Sequence, residues 1–364
     1  MNYLLNADQT AFIDTARKFL AEHADSLFLH RIADRHGDWV QELGGLWQAF
    51  GELGFASLLI AEEDGGIGLS LFDAVLINEV IGASAAPIPF IAHQLCCLAI
   101  AKAGSAEQKV RWLPSLASGE VIGSVALLGA QGIYQPGSWK AQAGGEQTLT
   151  LGNLEVSGSG LPTLIVVGLA GGGLGVIDPQ AASLVRTDKP CIDPTGFLAD
   201  FQVDEADIQA LEDGHAHSRS LVDAGLALQA AQASGGIGRC VELATEYTKV
   251  REQFGVPIGQ FQAVKHQLAD IALDGEPNRP LVWHAAQCVA NGDASASRHS
   301  ALAKAHLTDA YLRVARKTIE LHGGFGYTWE ADLHLYLKRA IFLSAHLGSA
   351  LSLRQYLADT VDQH

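Results

Sequence analysis

The stretch REQFGVPIGQFQAVKHQLADI, Arg251 to Ile271, decides how the rest of the chain is read. It follows a helical pattern over residues 216–250 and opens on Arg251, whose planar, permanently charged fork can hold a pyrophosphate in a way that Lys cannot. Phe254 can pack against a flat ring, and Gly255 permits a turn. Taken alone, the same residues also suit an Arg capping a helix C-terminus beside a buried Phe. Downstream, helical periodicity continues over residues 258–291, 296–321 and 330–361, so four antiparallel helices are expected to form a bundle.

Working outward, residues 7–118 are also helical in spacing. Phe12, Ala16, Phe19 and Leu20 share one face, as do Leu46, Phe50 and Leu53. The turn EEDGGIG, Glu62 to Gly68, and the pair Pro87 and Pro89 should each separate helices. From Val121 to Val203 the character changes to short runs of Val, Leu, Ile and Thr divided by Gly, Pro and Asn, which reads as a small antiparallel β domain. Gly171 to Gly175 lacks the G-x-G-x-x-G spacing and leads into a strand-like VID instead of a helix, so a hairpin loop is expected there and not a phosphate loop. The expected plan is α+β: an N-terminal helical domain at 1–120, a middle β domain at 121–206 and a C-terminal four-helix bundle at 207–364.

At 364 residues and 48% hydrophobic content the chain can fill the cores of two or three domains. A formal net charge of −16 argues against nucleic acid, which needs clustered Lys and Arg. The beginning MNYLLNADQTAF has no basic region followed by an apolar core, and no stretch reaches the length of a membrane span, so the cytoplasm is the expected compartment. Five cysteines without a C-x-x-C pair suit neither a disulfide framework nor a thiolate site. No i, i+4 His pair with an acidic partner suggests metal ligation, so no metal is expected.

Two further stretches join the first: ELHGGFGYTWEADLHLYLKRA, Glu320 to Ala340, and the run from Leu53 through LGFASLLIAEEDGGIGLSLFDAVLINEVIG to QKVRWLPSLASGE. In sequence, order and spacing the three resemble the acyl-CoA dehydrogenase family along nearly the whole chain. The resemblance implies FAD as cofactor, with Arg251, Gln253, Phe254, Ile258 and Gln262 reaching a dinucleotide bound mainly by a neighbouring subunit. It implies that Glu320, Gly323 and Gly324 face the same cofactor, although the family usually has Gln at the position of Glu320. Glu330 and Asp332 are expected in the first turn of the last helix, complementing its dipole.

Members of that family remove the α proton of an acyl-CoA thioester with a Glu while the β hydride passes to the flavin. Counting from the motifs, the two family positions for this base fall on Leu347 and Gly225, and neither can accept a proton. The segment ALLGAQGIYQPGSWKAQAGG, Ala126 to Gly145, lacks the Thr-Glu-Pro and Gly-Ser elements that embrace the flavin ring in the family. Pro277 and Pro280 are expected to break a helix that is continuous in other members.

The resemblance is closest to the smaller, base-lacking subunits of bacterial α2β2 acyl-CoA dehydrogenases that act on bulky thioesters such as steroid side chains. A catalytic homologous subunit, an acyl-CoA substrate and an electron-transfer flavoprotein as acceptor are the expected partners. Two alternatives stay open: a homomeric enzyme with a base relocated to Asp223 or Glu242, and a non-enzymatic scaffold that has lost flavin.

Overall fold

A computed structural model describes residues 5–127, 135–275 and 279–360. Six helices come first: α1 (Ala7–His23), α2 (Ser26–Ala33), α3 (Trp39–Glu52), α4 (Leu71–Ser84), α5 (Phe90–Ala103) and α6 (Ala106–Ala117). Their starts are written locally. Asn6 with Gln9, Ser70 with Asp73 and Ser105 with Gln108 form reciprocal capping boxes that satisfy the first free N–H groups of α1, α4 and α6. The EEDGGIG turn separates α3 from α4, and Pro87 and Pro89 separate α4 from α5, as expected. Both α4 and α5 are apolar nearly all round and are buried in the centre of the molecule.

The middle region folds as two sheets. One is ordered β1 (Ile122–Ala126), β3 (Thr163–Gly168), β4 (Leu174–Ile177), β7 (Ile208–Ala210); the other is ordered β2 (Thr148–Glu155), β6 (Leu198–Asp204), β5 (Val185–Lys189). The expectation of purely antiparallel pairing needs one correction: β1 runs parallel to β3, with Ile122 opposite Thr163. A parallel neighbour requires a long crossover, and the chain from β1 through β2 supplies it. Strand β3 is buried along its whole length because Leu164 and Val166 face the helical core while Ile165 and Val167 face the second sheet. The loop from Gly171 to Gly173 joins the antiparallel strands β3 and β4, with Gly171 and Gly172 at φ 81° and 94°, which is the hairpin reading.

The last region holds α7 (Gly214–Val250), a short hairpin β8 (Glu252–Gln253) and β9 (Val256–Pro257), then α8 (Gln262–Gly275), α9 (Arg279–Ala290), α10 (Ala296–His322), α11 (Leu333–Ala345) and α12 (Ala350–Thr360). The four expected segments are present, but two are each in two pieces. The second is described as α8 and α9 on either side of residues 276–278, which include Pro277 and lie outside the described residues; Pro280 is within helix α9. The fourth turns a corner between α11 and α12, with Leu347 at φ 52° and Gly348 at φ 98°. Lys304 of α10 makes that corner possible: wholly buried, it donates to the carbonyls of Leu343 (3.1 Å), His346 (2.7 Å) and Gly348 (2.5 Å), groups that the end of α11 leaves without partners.

Asp332 is not in the first turn of α11 but just before it, at φ 56°, and its carboxylate reaches across to His30 of α2 at 2.5 Å. Glu330 lies in the preceding 3-10 turn, Trp329–Ala331. Their expected role toward the helix dipole is therefore replaced, for Asp332, by a tie between distant elements. Arg339 makes a second tie, from α11 to Asp193 (2.7 Å), Thr195 (2.6 Å) and the carbonyl of Ala86 (3.0 Å). No described helix is long and apolar enough to cross a membrane.

Candidate functional site

Helix α7 ends at Val250 and the chain turns at once into the β8–β9 hairpin, whose base is closed by Ile258 N–H donating to the Arg251 carbonyl at 2.8 Å. The C-terminal end of α10 lies alongside, and the chain continues from it as a 3-10 turn, Gly323–Tyr327. Between them opens a cleft of about 560 Å³ lined by Tyr247, Arg251, Gln253, Ile258, Glu320, Gly323 and Gly324, together with His322 and Phe325. Six of the eight residues assigned from sequence thus meet in one place.

Its chemistry is specific. The Arg251 side chain is exposed and forms no ion pair among the described residues, so a cation stands free at the cleft wall. Glu320, the acidic substitution, lies beside Lys317 at 2.7 Å, which compensates its charge. Gly323 sits at φ 59°, and a side-chain carbon added to Gly323 or Gly324 would meet nothing within 4 Å, so the backbone there is bare to an approaching group. Tyr247, His322 and Phe325 form a stack of near-parallel rings, with centroids 4.2 Å apart for Tyr247 and His322 and 6.0 Å for Tyr247 and Phe325. His322 is fixed by its Nδ1 against the Thr318 carbonyl at 2.8 Å, and burial pushes its pKa below the ordinary imidazole value. A guanidinium without an ion pair among the described residues, a glycine backbone bare of side chains and a flat aromatic wall fit a phosphate-bearing cofactor with planar rings, such as the dinucleotide of FAD.

Two assignments do not line the cleft. Phe254 is 94% exposed at φ 55°, with Phe261 edge-on at 6.1 Å, so it is not a buried anchor for Arg251. Gln262 begins α8 and is not among the residues that line the cleft. Conversely, sequence reading missed Tyr247, although it stands four residues before Arg251, one helical turn away on the same face.

The positions for a base lie elsewhere. Gly225 is buried in α7, and a side-chain carbon placed on it would come within 3.1 Å of Leu95 Cδ1 and 3.2 Å of Leu347 Cδ1. Far apart in sequence, Gly225 and Leu347 therefore face one another, and with Leu95 they make an apolar contact that has no room for a carboxylate. Asp223 is buried against α10, paired with Arg219 at 2.8 Å and accepting from the Ser297 hydroxyl at 2.6 Å; desolvation raises its pKa. Glu242 is on the surface, paired with Arg239 at 3.0 Å. Of the segment Ala126 to Gly145, residues 128–134 lie outside the described residues.

Comparison with known proteins agrees with this architecture. Residues 6–120 match the family "Acyl-CoA dehydrogenase, N-terminal domain" and residues 213–361 match "Acyl-CoA dehydrogenase, C-terminal domain". The acyl-CoA dehydrogenase IpdE2 of Mycobacterium tuberculosis is 32% identical over 330 residues, covering 90% of this chain and 89% of that protein. The mitochondrial isobutyryl-CoA dehydrogenase of Dictyostelium discoideum is 29% identical, over 79% of this chain and 74% of that protein. Among solved structures, a variant of the Tcur3481-Tcur3483 steroid ACAD superposes with a TM-score of 0.84 at 27% identity, covering 98% of both chains. Butyryl-CoA dehydrogenase of Megasphaera elsdenii has the same fold, with a TM-score of 0.84 at 20% identity over 99% of this chain and 100% of that one.

Proposed function

This chain belongs to the acyl-CoA dehydrogenase family, and from that premise we propose that it is the base-lacking subunit of a heteromeric, FAD-dependent acyl-CoA dehydrogenase. One observation carries the reading: the polar cleft at Arg251 is kept, while Gly225, Leu347 and Leu95 close the base position with carbon. When bound, the flavin takes the hydride from the substrate. This chain's own part is to hold the dinucleotide of a cofactor whose ring lies on the partner, with Arg251 on the pyrophosphate and the Gly323 and Gly324 backbone beside it. The partner, a homologous catalytic subunit in an α2β2 assembly, supplies the carboxylate that removes the α proton.

Exposed aromatic side chains support a partner at this end. Phe325 in the cleft lining, Tyr327 in the same 3-10 turn and Phe254 in the hairpin present large apolar area to solvent, where an isolated chain would gain by covering it. Phe254 projects on the hairpin as an arm toward the second subunit. The substrate we assign is a bulky acyl-CoA thioester of the steroid side-chain class, a choice supported by the similarity to a steroid ACAD. The complex works in the cytoplasm and passes its electrons to an electron-transfer flavoprotein.

The test is the flavin absorbance of the chain purified alone and after co-expression with a homologous catalytic acyl-CoA dehydrogenase chain. Colourless alone and yellow as a stable, active complex is the expected result. A yellow, active homo-oligomer would overturn it in favour of a relocated base, and a colourless complex would leave only a scaffold.

A further inference from the structure

At the opposite end of α10 from the cleft, α9 carries His284 and Cys288 one helical turn apart, so both point from one face. Helix α10 brings His299 to the same spot. A ligand atom from each of the three lies within 4.8 Å of the others. The Cys288 sulfur is 3.6 Å from Nε2 of His284, and the rings of His284 and His299 stand edge to face with centroids 4.3 Å apart. Cys288 is buried, with 2% exposure, and the two imidazoles are half-buried above it, which leaves one side open to solvent.

We propose that His284, Cys288 and His299 form a binding site for a divalent transition cation, with Zn²⁺ the best-fitting ion. Zinc is held by thiolate at about 2.3 Å and imidazole at about 2.0–2.1 Å, and a tetrahedron with those bonds has a sulfur–nitrogen edge of about 3.5 Å. The observed 3.6 Å already has that length, and the ligand atoms of all three residues lie within 4.8 Å of one another. One thiolate and two imidazoles leave a fourth position for water. Asp293, in the turn between α9 and α10, is close enough to act electrostatically on both histidines and to offset the positive charge, although its Oδ1 is already engaged by Ser295. Arg298 lies near His299 and opposes a cation, so affinity depends on the thiolate.

The site has a structural purpose. Helix α9 is tied to α4 near its start by Arg279 and Glu79 at 3.3 Å, and further along His284 meets His299 of α10. A metal bridging Cys288 and His284 to His299 pins its C-terminal half to α10 and stabilises the folded form by mass action.

The experiment is a titration of the full chain, free of histidine tags and stripped with a chelator, with Co²⁺ as spectroscopic probe. The expected result is stoichiometric binding with a thiolate-to-cobalt band in the near ultraviolet and tetrahedral bands in the visible, displaced by Zn²⁺. Zn²⁺ should also raise the thermal midpoint. Cys288→Ser should abolish the near-ultraviolet band, and His299→Gln should weaken binding more than about 100-fold, beyond what loss of an outer-shell contact does. Cys191→Ser, a thiol far from the cluster, should change neither. Absence of the thiolate band in the folded wild-type chain, or its survival in Cys288→Ser, would overturn the site. If Cys288→Ser does not fold, His299→Gln and the wild-type thermal shift decide the matter by themselves.

Discussion

The two ends of α7 differ in kind. Around Gly225 the helix is buried on all sides, built from small residues, and faces Leu95 and Leu347. Around Tyr247 and Arg251 it is open, aromatic and charged, and faces a cleft. In an enzyme that does its own chemistry both ends must be polar, since a base and a cofactor are both needed. Here one end is core while the other is an open polar cleft.

The hardest blow to this contrast would be a carboxylate at the closed end. Leu347→Glu forces a charge against Leu95 and the α7 backbone and is expected to destabilise the chain by about 3 kcal/mol or more, without giving acyl-CoA turnover to the isolated protein. Thermal unfolding and a dye-reduction assay read both. Wild-type stability combined with turnover would mean that the closed end is a usable base site after all.

Next in size is the corner that holds Leu347. Lys304→Met leaves the carbonyls of Leu343, His346 and Gly348 without their donor and should cost about 3 kcal/mol, seen as a lower thermal midpoint, because each unsatisfied buried acceptor costs about 1–3 kcal/mol. Burial pushes the Lys304 ammonium down to about 7, yet its three carbonyls favour the charged form, so the residue acts as a cap for α11. An unchanged midpoint would show that the corner is held by packing alone.

At the open end the effect moves from stability to ligand. Arg251→Ala should leave the thermal midpoint of the isolated chain within about 0.5 kcal/mol of wild type, since the side chain is exposed and makes no ion pair among the described residues. In the complex the same change should weaken flavin retention by about 10- to 100-fold, the value of a lost charge-assisted pair at about 1.5–3 kcal/mol, with Arg251→Lys recovering only part. Undiminished flavin content would sever the cleft from the cofactor.

The last expected effect is a dependence on pH. His346, stacked on Phe342 at 4.8 Å and 2.7 Å from the Gln229 amide, has its pKa lowered to about 3 by burial and by Lys304. A folded-state value below the unfolded one means that the unfolded chain takes up the proton first. The stability that neutral His346 contributes is therefore full above about 6.5 and is lost as pH falls toward 3. His346→Gln should flatten the fall in thermal midpoint over that window, and an unaltered slope would assign the acid lability to other buried histidines such as His93.

Much of the fold could be read directly. Capping boxes, the Pro87 and Pro89 break and the 37-residue α7 are local signals, written within a few residues of where they act. The site was legible in part for the same reason: Arg251, Gln253, Ile258, Glu320, Gly323 and Gly324 sit in two motifs, and each motif is a helix end. Less could be said where the outcome depended on what lies across a gap. Phe254 looked like a packing residue but projects into solvent, and Tyr247 lay one turn from Arg251 without a motif to mark it. The parallel pairing of β1 with β3 and the tie from Asp332 to His30 also join residues that no spacing connects.

By itself the sequence determined the order of helices and strands, the absence of an acid at Gly225 and Leu347, and the family motifs, because periodicity, caps and residue identity are properties of the chain. Only the tertiary structure decided that Gly225 and Leu347 close on each other, that Arg251 has no ion pair among the described residues, and that His299 joins His284 and Cys288. Each of these is a matter of distance between side chains on different turns or different helices. Such distances are set by how the apolar faces of the helices pack together, which the spacing within any one of them does not specify.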